Sequence, residues 1–341
     1  MESFLKANVT DKGAILLGSQ VACDAFEETR PLRVVTHAHA DHLTGLHRSL
    51  KMCDAVVMTP ATRDLISVLK GPDYLLNGNV KAINYGSPLI FNHERLILFR
   101  VDHILGAAQV LVEDAEGTRI LYTGDFRFTD TPVVQSDVLV IEATYGNPWR
   151  TRNFEDEAKQ ALVSMVEKGL EQGPVYVFGY HGKLQEVMQI LHKARIKVPF
   201  IMPEKIRRIS EVHQNHGVIL HRPLYSAKRE MQSTLHGGGK YVAFYHMSWR
   251  KKVGLNKFRI CVSGWEFNSP CRQLSNNEYI VALSDHSDFN GLLEYVQRSN
   301  PKLVITDNYR AGYGTSLAEQ IEKRLGIQAK ALPIRTKKYN S

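Results

Sequence analysis

The sequence predicts an α/β protein in which a β-rich first part is followed by an α/β module. Short apolar runs dominate the chain up to Tyr145, whereas strand–loop–helix repeats begin after the turn at Gly146–Pro148. The apolar fraction is 43 %, which is ordinary for a globular protein. A chain of 341 residues corresponds to about two domains at roughly 150 residues per domain.

The first part is predicted to contain strands because its apolar runs are short. They are rich in Val, Ile and Leu and are bounded by Gly, Asp or Pro, which favours strands over helices. These runs are Arg33–Thr36, Ala55–Thr59, Leu96–Val101, Gln109–Glu113, Arg119–Thr123 and Val138–Glu142. A helical pattern is present mainly over Ala61–Lys70.

The second part alternates between the two periodicities. Asn153–Gly173 has apolar residues at helical spacing and ends at a Gly-Pro stop, and Val175–Phe178 then predicts a strand. Helices are predicted at Lys183–Ala194, Asn290–Ser299 and Ser316–Leu325, and strands at Tyr241–Tyr245, Arg259–Ser263, Ile280–Leu283 and Leu303–Thr306. Such repeats are typical of an α/β module with a parallel sheet.

Charge and cysteine content exclude several classes of protein. Lys and Arg number 43 against 35 Asp and Glu, and the net charge of +8 favours a polyanionic partner. No run approaches the ~18 apolar residues of a membrane-spanning helix, and no membrane partner is expected. The four cysteines are scattered without a CxxC pair, which argues against a disulfide scaffold and a zinc finger and predicts a reducing, cytoplasmic setting.

The most informative stretch is His37–His42, which follows a predicted strand. It offers three imidazoles and a carboxylate within six residues, and these groups suit zinc and similar divalent metals. The small residues Ala38 and Ala40 allow the loop to fold tightly around an ion. Further candidates stand after other predicted strands, namely His103 and Asp125.

Residues just past strand ends collect on one edge of a sheet-based fold. The sequence therefore predicts a shared site for the six candidate ligands, which are His37, His39, Asp41, His42, His103 and Asp125. This set is large enough for two metals bridged by one carboxylate.

The stretch His37–His42, followed by His103 with Gly106 and then Gly124-Asp125, resembles the metallo-β-lactamase superfamily. The resemblance implies an αββα sandwich with a two-metal site on one edge. It assigns His37, His39 and His103 to one metal, Asp41 and His42 to the other, and Asp125 between them. Asp24 resembles the early aspartate of the family, which supports the ligand loop without binding metal.

Two further motifs resemble the β-CASP subfamily, which acts on nucleic acids. Val140–Gly146 contains Glu142 and resembles its acidic motif, and Leu283–Phe289 contains His286 and resembles its first C-terminal histidine motif. The resemblance implies a metallo-β-lactamase domain over residues 1–150 and 266–341, with an α/β β-CASP cap domain inserted over 151–265. We expect Asp41 to orient the attacking water and His286, held by Glu142, to act as general acid. The alternatives are that Glu142 caps a helix and that His286 is a metal ligand.

Finer matches indicate a branch of the subfamily. Tyr180–Lys183 and Ser263–Phe267 resemble segments of the Artemis-type DNA crosslink-repair nucleases, and Ser263–Trp265 with Ser284–His286 resembles the prokaryotic exonucleases encoded beside DNA ligases. RNA-acting members have a second histidine where this chain has Asn308, and DNA-acting members lack it. The substitution predicts a weaker second metal site, to which Asp307 could contribute an oxygen, and it favours DNA.

Three residues of the inserted segment are candidates for contact with nucleic acid. Lys183 opens a predicted helix, whose N-terminus suits a phosphate, and Ser263 and Trp265 could meet a terminal phosphate or stack on a base. A solvated helix face remains the alternative for Lys183, and core packing the alternative for Trp265. The basic groups Arg207-Arg208 and Arg250–Lys252 could follow the nucleic-acid backbone.

The sequence thus predicts a metal-dependent nuclease with two divalent metals, zinc or else manganese, and a DNA exonuclease of repair or processing is preferred. An RNA-processing β-CASP ribonuclease similar to RNase J or the 3′-end-processing endonuclease is the alternative. A thioester or lactam hydrolase is a further alternative, but that function would not explain the inserted segment or the positive net charge. An inactive nucleic-acid-binding relative is another, but it would not require six metal ligands. Cleavage polarity, endo- or exonucleolytic action, the working metal and the oligomeric state stay open.

Overall fold

The computed structural model describes residues 6–76, 78–220, 224–226, 239–310 and 312–334. The chain divides into two compact units. The first unit consists of Met1–Thr151 together with His286–Ser341, and the second consists of Arg152–Asp285.

The first unit contains two sheets. Among the described residues, one sheet has six strands in the order of the chain: β1 (Ala7–Val9), β2 (Ile15–Leu17), β3 (Val21–Cys23), β4 (Leu32–Val34), β5 (Ala55–Met58) and β6 (Val80–Ala82). The other, counted over the same ranges, has seven: β7 (Pro88–Phe91), β8 (Glu94–Arg100), β9 (Ala108–Glu113), β10 (Arg119–Tyr122), β11 (Val138–Ile141), β19 (Leu303–Asp307) and β20 (Gln328–Leu332). Its order is β20-β19-β11-β10-β9-β8-β7, so β19 pairs in parallel with β11 although it follows β11 by more than 150 residues.

The two sheets share one apolar core. Val34 and Val57 of the first sheet and Val110, Tyr122 and Ile305 of the second belong to the same buried cluster. The helices of this unit are α1 (Leu46–Met52), α2 (Pro60–Lys70), α6 (Phe289–Ser299) and α7 (Gly314–Leu325). The α2 helix begins at Pro60, one residue before the predicted start at Ala61, because Thr59 caps the amide of Thr62 and Pro60 occupies the first helical position.

The second unit is an α/β layer structure. In its described part, seven strands pair in the order β14-β13-β15-β12-β16-β18-β17: β12 (Val175–Gly179), β13 (Phe200–Met202), β14 (Leu224–Ser226), β15 (Val242–His246), β16 (Phe258–Val262), β17 (Cys271–Ser275) and β18 (Glu278–Val281). The pairs are parallel except for β17 with β18, as expected for strand–helix repeats. The helices are α3 (Glu155–Gln172), α4 (Lys183–Lys193) and α5 (Glu204–Asn215), and their apolar faces cover a core that contains Leu162, Val187 and Phe244.

The second unit extends to Asp285, whereas the sequence analysis placed its end at residue 265. The difference arises because β17 and β18 pair beside β16 in the sheet of the second unit. No helix among the described residues is both long and apolar enough to cross a membrane.

Candidate metal centre

The candidate ligands of the first unit all follow the ends of strands. β4 ends at Val34 shortly before His37, β8 ends at Arg100 before His103, and β10 ends at Tyr122 before Asp125. A short 3-10 helix over Ala40–Leu43 carries Asp41 and His42. Because β8 and β10 both pair antiparallel with β9, they run in the same direction and end at the same edge of their sheet, which brings side chains distant in sequence together.

The structure groups these side chains as potential metal ligands. Three overlapping sets have ligand atoms that all lie within 4.8 Å of one another: His37, His39 and His103; His37, His42 and Asp125; and His103, Asp125 and His286. Five of the six ligands predicted from the sequence are thus in these sets, together with His286.

The spacing of the imidazole nitrogens fits a tetrahedral cation. Nδ1 of His39 lies 3.2 Å from Nε2 of His37 and 3.2 Å from Nε2 of His103. A tetrahedral ion with metal–nitrogen distances of 2.0–2.1 Å holds its nitrogen ligands about 3.3 Å apart. The histidine triad therefore has the dimensions that a zinc-like ion requires.

A second observation concerns a buried polar atom. Oδ2 of Asp125 lies 3.1 Å from Nε2 of His42 and 3.8 Å from Nε2 of His37. Within the described ranges, no group forms a hydrogen bond of acceptable geometry with Nε2 of His42, although the imidazole is fully buried. Buried polar atoms are normally satisfied, and a cation between His42 and Asp125 would satisfy this one.

Asp24 fixes the orientation of His42 through a hydrogen bond to the ring nitrogen Nδ1. Its carboxylate accepts hydrogen bonds from the amide of Thr36 at 2.9 Å, from the Thr36 hydroxyl at 2.8 Å and from Nδ1 of His42 at 2.8 Å. Because Nδ1 donates to Asp24, Nε2 is the ring nitrogen directed toward the cluster, where it offers a lone pair once its own proton is lost. Asp24 has a φ of 62°, a left-handed conformation that aspartate and asparagine tolerate better than most residues.

The charges in the cluster shift the pKa values in opposite directions. Burial lowers the pKa of His37 well below its ordinary value, and the neighbouring imidazoles His42 and His103 lower it further. Burial also opposes protonation of His42, but the carboxylates of Asp125 and Asp24 outweigh it and raise its pKa to about 10. Burial would raise the pKa of Asp125, yet His42 holds it well below the ordinary value. A neutral His37 and an ionised Asp125 are the protonation states that metal binding requires.

Asp41 lies at the border of the cluster. Its Oδ2 is 3.5 Å from Nε2 of His42, and its side chain is 62 % exposed. It belongs to none of the three sets within 4.8 Å. The accessible carboxylate can therefore face a substrate or an attacking water.

Glu142 and His286 form a pair beside the cluster. Nδ1 of His286 lies 3.0 and 3.1 Å from the two oxygens of Glu142, and Oε1 of Glu142 also accepts from the amide of Phe126 at 2.8 Å. The His286 ring contacts the His103 ring edge-on, with centroids 4.9 Å apart. The pair places a carboxylate-held imidazole in the same set of potential ligands as His103 and Asp125.

Sequence reasoning missed a buried arginine that supports the ligand loop. Arg33 is 1 % exposed, and its guanidinium donates to the carbonyl oxygens of Val34 at 3.1 Å, Thr44 at 3.3 Å and His42 at 3.0 Å. These bonds tie both ends of the segment that carries His37–His42 to β4. The sequence signal for this role is the position of a charged residue inside the apolar run Leu32–Val35.

Asp307 and Asn308, at the position where RNA-acting members of the resembled subfamily have a second histidine, are engaged with other residues. Asp307 accepts hydrogen bonds from Arg310 at 2.6 Å and from the amide of Tyr309 at 2.8 Å. The side-chain Nδ2 of Asn308 donates to the carbonyl oxygen of Pro333 at 3.2 Å. Asp307 belongs to none of the metal-ligand sets.

The position of Asp24 leads to a first prediction. Asp24→Asn is expected to weaken metal binding about 10- to 100-fold, because the amide no longer enforces the tautomer of His42 but keeps the left-handed backbone. Calorimetric titration of the metal-free protein with Zn²⁺ measures the change. Asp54→Asn, at an exposed carboxylate of the same unit, is the matched control. Unchanged affinity in Asp24→Asn would show that Asp24 does not support the centre.

The three predicted nucleic-acid contacts lie in the second unit, in different environments. Lys183 is buried, and its Nζ lies 2.7 Å from Oδ1 of Asp285. The hydroxyl of Ser263 accepts a hydrogen bond from the amide of Trp265 at 3.1 Å, and the Trp265 side chain is 53 % exposed. Lys183 is therefore held by a buried ion pair, whereas Trp265 offers an aromatic surface to solvent.

The buried ion pair leads to a second prediction. Lys183→Met is expected to lower the free energy of unfolding by about 3–5 kcal/mol, because it leaves the Asp285 carboxylate buried without its partner. Urea unfolding followed by circular dichroism measures this loss. The double variant Lys183→Met/Asp285→Leu should recover most of it, and a single variant as stable as the wild type would contradict a structural role.

The architecture is similar to that of a solved structure. A protein of unknown function from Enterococcus faecalis V583 superposes with a TM-score of 0.61 at 14 % sequence identity, covering 90 % of this chain and 80 % of that one. Two facing sheets with ligands at one edge, and an α/β unit inserted before β19, define a metallo-β-lactamase sandwich with a β-CASP cap domain. The fold class predicted from the sequence is thereby confirmed.

Sequence comparison shows the family. The protein described as an uncharacterized protein in the lig 3′ region of Acidianus ambivalens is 39 % identical over 139 residues, which are 40 % of this chain and 99 % of that protein. This chain belongs to the same family as the Acidianus protein. No family model matches the chain.

More distant relatives carry names that refer to nucleic-acid chemistry. A probable DNA ligase of Opitutus terrae is 24 % identical over 87 % of this chain and 28 % of its own length. RNase aCSPSF2 of Saccharolobus solfataricus is 25 % identical over 64 % of this chain and 49 % of its own length. The chain thus spans a quarter to a half of the length of these relatives.

Proposed function

We propose that this protein is a metal-dependent nuclease that hydrolyses phosphodiester bonds of nucleic acid. The observation that carries the proposal is the convergence of His37, His39, His103 and Asp125 at one edge of the sandwich, next to the His286–Glu142 pair. The names of the relatives, RNases and a probable DNA ligase, support the nucleic-acid substrate. So does the net charge of +8, which favours a polyanion.

The side chains fit two divalent cations, zinc or else manganese. His37, His39 and His103 would hold one, Asp41 and His42 the other, and Asp125 would lie between them. When bound, such ions activate water and neutralise charge that develops on the phosphate. The second site would be the weaker one, because Asn308 and Asp307 are engaged with Pro333 and Arg310.

The residues of the chain supply the remaining steps. The exposed carboxylate of Asp41 orients the attacking water. His286 donates a proton to the leaving oxygen, and Glu142 holds its ring by accepting from Nδ1, so that Nε2 is directed toward the reacting groups. Phosphodiester hydrolysis requires these two positioned functions in addition to neutralisation of charge.

DNA is the preferred substrate, with exonucleolytic cleavage in repair or processing in the cytoplasm. The absence of the second histidine at Asn308 is a feature of DNA-acting members of the resembled subfamily, and the likeness to a probable DNA ligase spans most of this chain. An RNA-processing role is the second candidate, and the likeness to RNase aCSPSF2 of Saccharolobus solfataricus favours it.

One assay separates these substrates. Metal-reconstituted protein is incubated with end-labelled single-stranded DNA and RNA of the same sequence, and the products are resolved by electrophoresis. Degradation of DNA to mononucleotides is expected, while degradation of RNA alone would overturn the DNA preference. If the protein cleaves neither strand but hydrolyses a thioester, the proposal that it is a nuclease is overturned.

A further inference from the structure

The second unit contains a cavity that the proposed metal chemistry does not use. It has a volume of about 420 Å³ and lies between the 3-10 helix Met247–Lys252, the loop that follows it and the start of β16. Arg250, Lys251, Lys252 and Arg259 line it together with Leu255. Its size is within the range of pockets that bind small ligands, roughly 300–1,000 Å³.

The cavity is built around a buried guanidinium. Arg259 is 4 % exposed, and its Nη1 donates to the carbonyl oxygens of Arg250 at 3.3 Å and Val253 at 3.0 Å. These bonds fix the basic segment to β16. The Nε of Arg259 is buried without a hydrogen-bond partner among the described residues.

The positive charge around the cavity exceeds the negative charge that pairs with it. Oε1 of Glu278 lies 2.7 Å from Nε of Arg250 and 2.6 Å from Nη2 of Arg259, so one carboxylate serves two guanidinium groups. Lys251 and Lys252 are exposed and add two further positive charges. A cavity with this excess of cations favours a multiply charged anion.

The aromatic side chain of Trp249, next to the cavity, indicates which kind of anion the cavity binds. Trp249 is 44 % exposed; Nζ of Lys252 lies over its ring, 4.6 Å from the centroid, and the ring of Tyr245 lies 5.7 Å away at an interplanar angle of 31°. An exposed aromatic face beside a basic groove is the combination that binds single-stranded nucleic acid, because bases stack while cations contact the backbone. An isolated inorganic anion would make no use of the indole.

We propose that this cavity binds backbone phosphates of a nucleic-acid strand, with Lys251, Lys252, Arg250 and Arg259 as the cationic contacts. The inference rests on the proposed function in that it names a substrate contact outside the hydrolytic centre. It assigns the basic segment Arg250–Lys252 a binding role rather than that of a solvated surface. Stacking of an adjacent base on Trp249 would require Lys252 to leave the ring face when it contacts the phosphate.

The test uses the full-length, metal-free protein, so that binding is measured without cleavage. Fluorescence anisotropy of a labelled oligothymidylate is recorded over a series of salt concentrations for the wild type, Lys251→Gln/Lys252→Gln and the control Lys193→Gln/Lys197→Gln. The control removes the same charge from exposed lysines of the same unit. Calorimetric titration with inorganic pyrophosphate is run on the same three proteins.

The variant Lys251→Gln/Lys252→Gln loses two phosphate contacts. Its affinity for the strand is expected to be about tenfold lower than that of the wild type, and the slope of log affinity against log salt is expected to be smaller by about 1.4. The control should bind as the wild type does. With metal restored, the cavity variant should have a raised KM and an unchanged kcat, because these lysines lie outside the hydrolytic machinery.

Two other outcomes separate this inference from the proposed function. If the cavity variant binds both the strand and pyrophosphate as the wild type does, the inference is overturned whether or not the wild type cleaves nucleic acid. If the metal-loaded wild type cleaves no strand, the nuclease proposal fails. If the wild type nevertheless binds pyrophosphate and Lys251→Gln/Lys252→Gln does not, the phosphate site stands.

Discussion

Replacing Asp125 by asparagine is expected to lower the rate of phosphodiester hydrolysis about a thousandfold or more. Asp125 belongs to two of the three ligand sets, and its Oδ2 lies 3.1 Å from His42 and 3.8 Å from His37. Bound cations contribute several kcal/mol to charge stabilisation in such reactions, and each 1.4 kcal/mol corresponds to about tenfold in rate. An amide has the shape of the carboxylate but not the charge that a shared ligand requires.

Single-turnover cleavage of a labelled strand and metal content by elemental analysis should both be measured for Asp125→Asn. Asp130→Asn is a suitable control, because Asp130 is an exposed carboxylate in the loop that follows. The control is expected to bind metal and cleave as the wild type does. An Asp125→Asn protein with full metal content and a rate near that of the wild type would show that Asp125 is not a ligand.

Replacing His286 by glutamine is expected to lower kcat about 10²- to 10⁴-fold on an ordinary phosphodiester, which is the usual contribution of a general acid. The same variant should cleave a p-nitrophenyl phosphodiester at nearly the wild-type rate, because p-nitrophenolate leaves without a proton. Glu142→Gln should show the same leaving-group dependence with a smaller loss, since Glu142 acts by holding the ring of His286. Substrate hydrolysis followed at both leaving groups measures the effect.

The leaving-group comparison distinguishes a proton donor from a metal ligand. His286 shares a ligand set with His103 and Asp125, so a ligand role has to be tested directly. If His286→Gln loses metal and is equally slow on both substrates, His286 binds a cation and the general-acid role is wrong. His47→Gln, at an exposed histidine of the same unit, controls for the loss of an imidazole.

Much of the centre could be predicted because its ligands are close in sequence or follow clear strand patterns. His37, His39 and His42 are neighbours along the chain, and His103 and Asp125 each follow an apolar run that the structure shows as a strand. The strands β1, β2 and β3 were not predicted, because three residues are too few to establish an alternating pattern.

Contacts between residues far apart in the chain could not be predicted from one sequence. Lys183 and Asp285 are separated by 102 positions, and nothing in the residue pattern around Lys183 indicates a buried carboxylate partner. Similarly, Arg33 holds the ligand loop through backbone carbonyl groups, which have no sequence signature. The pairing of β18 with β16 was not apparent for the same reason, since strand order depends on packing of the whole sheet.

The most direct test of the account is a metal add-back experiment on cleavage of a labelled DNA strand. Protein stripped by a chelator should be inert, and stepwise addition of Zn²⁺ or Mn²⁺ should restore release of nucleotides in proportion to the metal bound, in the wild type but not in Asp125→Asn. Full activity of the metal-free protein, or an intact strand after the cluster has been loaded with metal, would contradict the account.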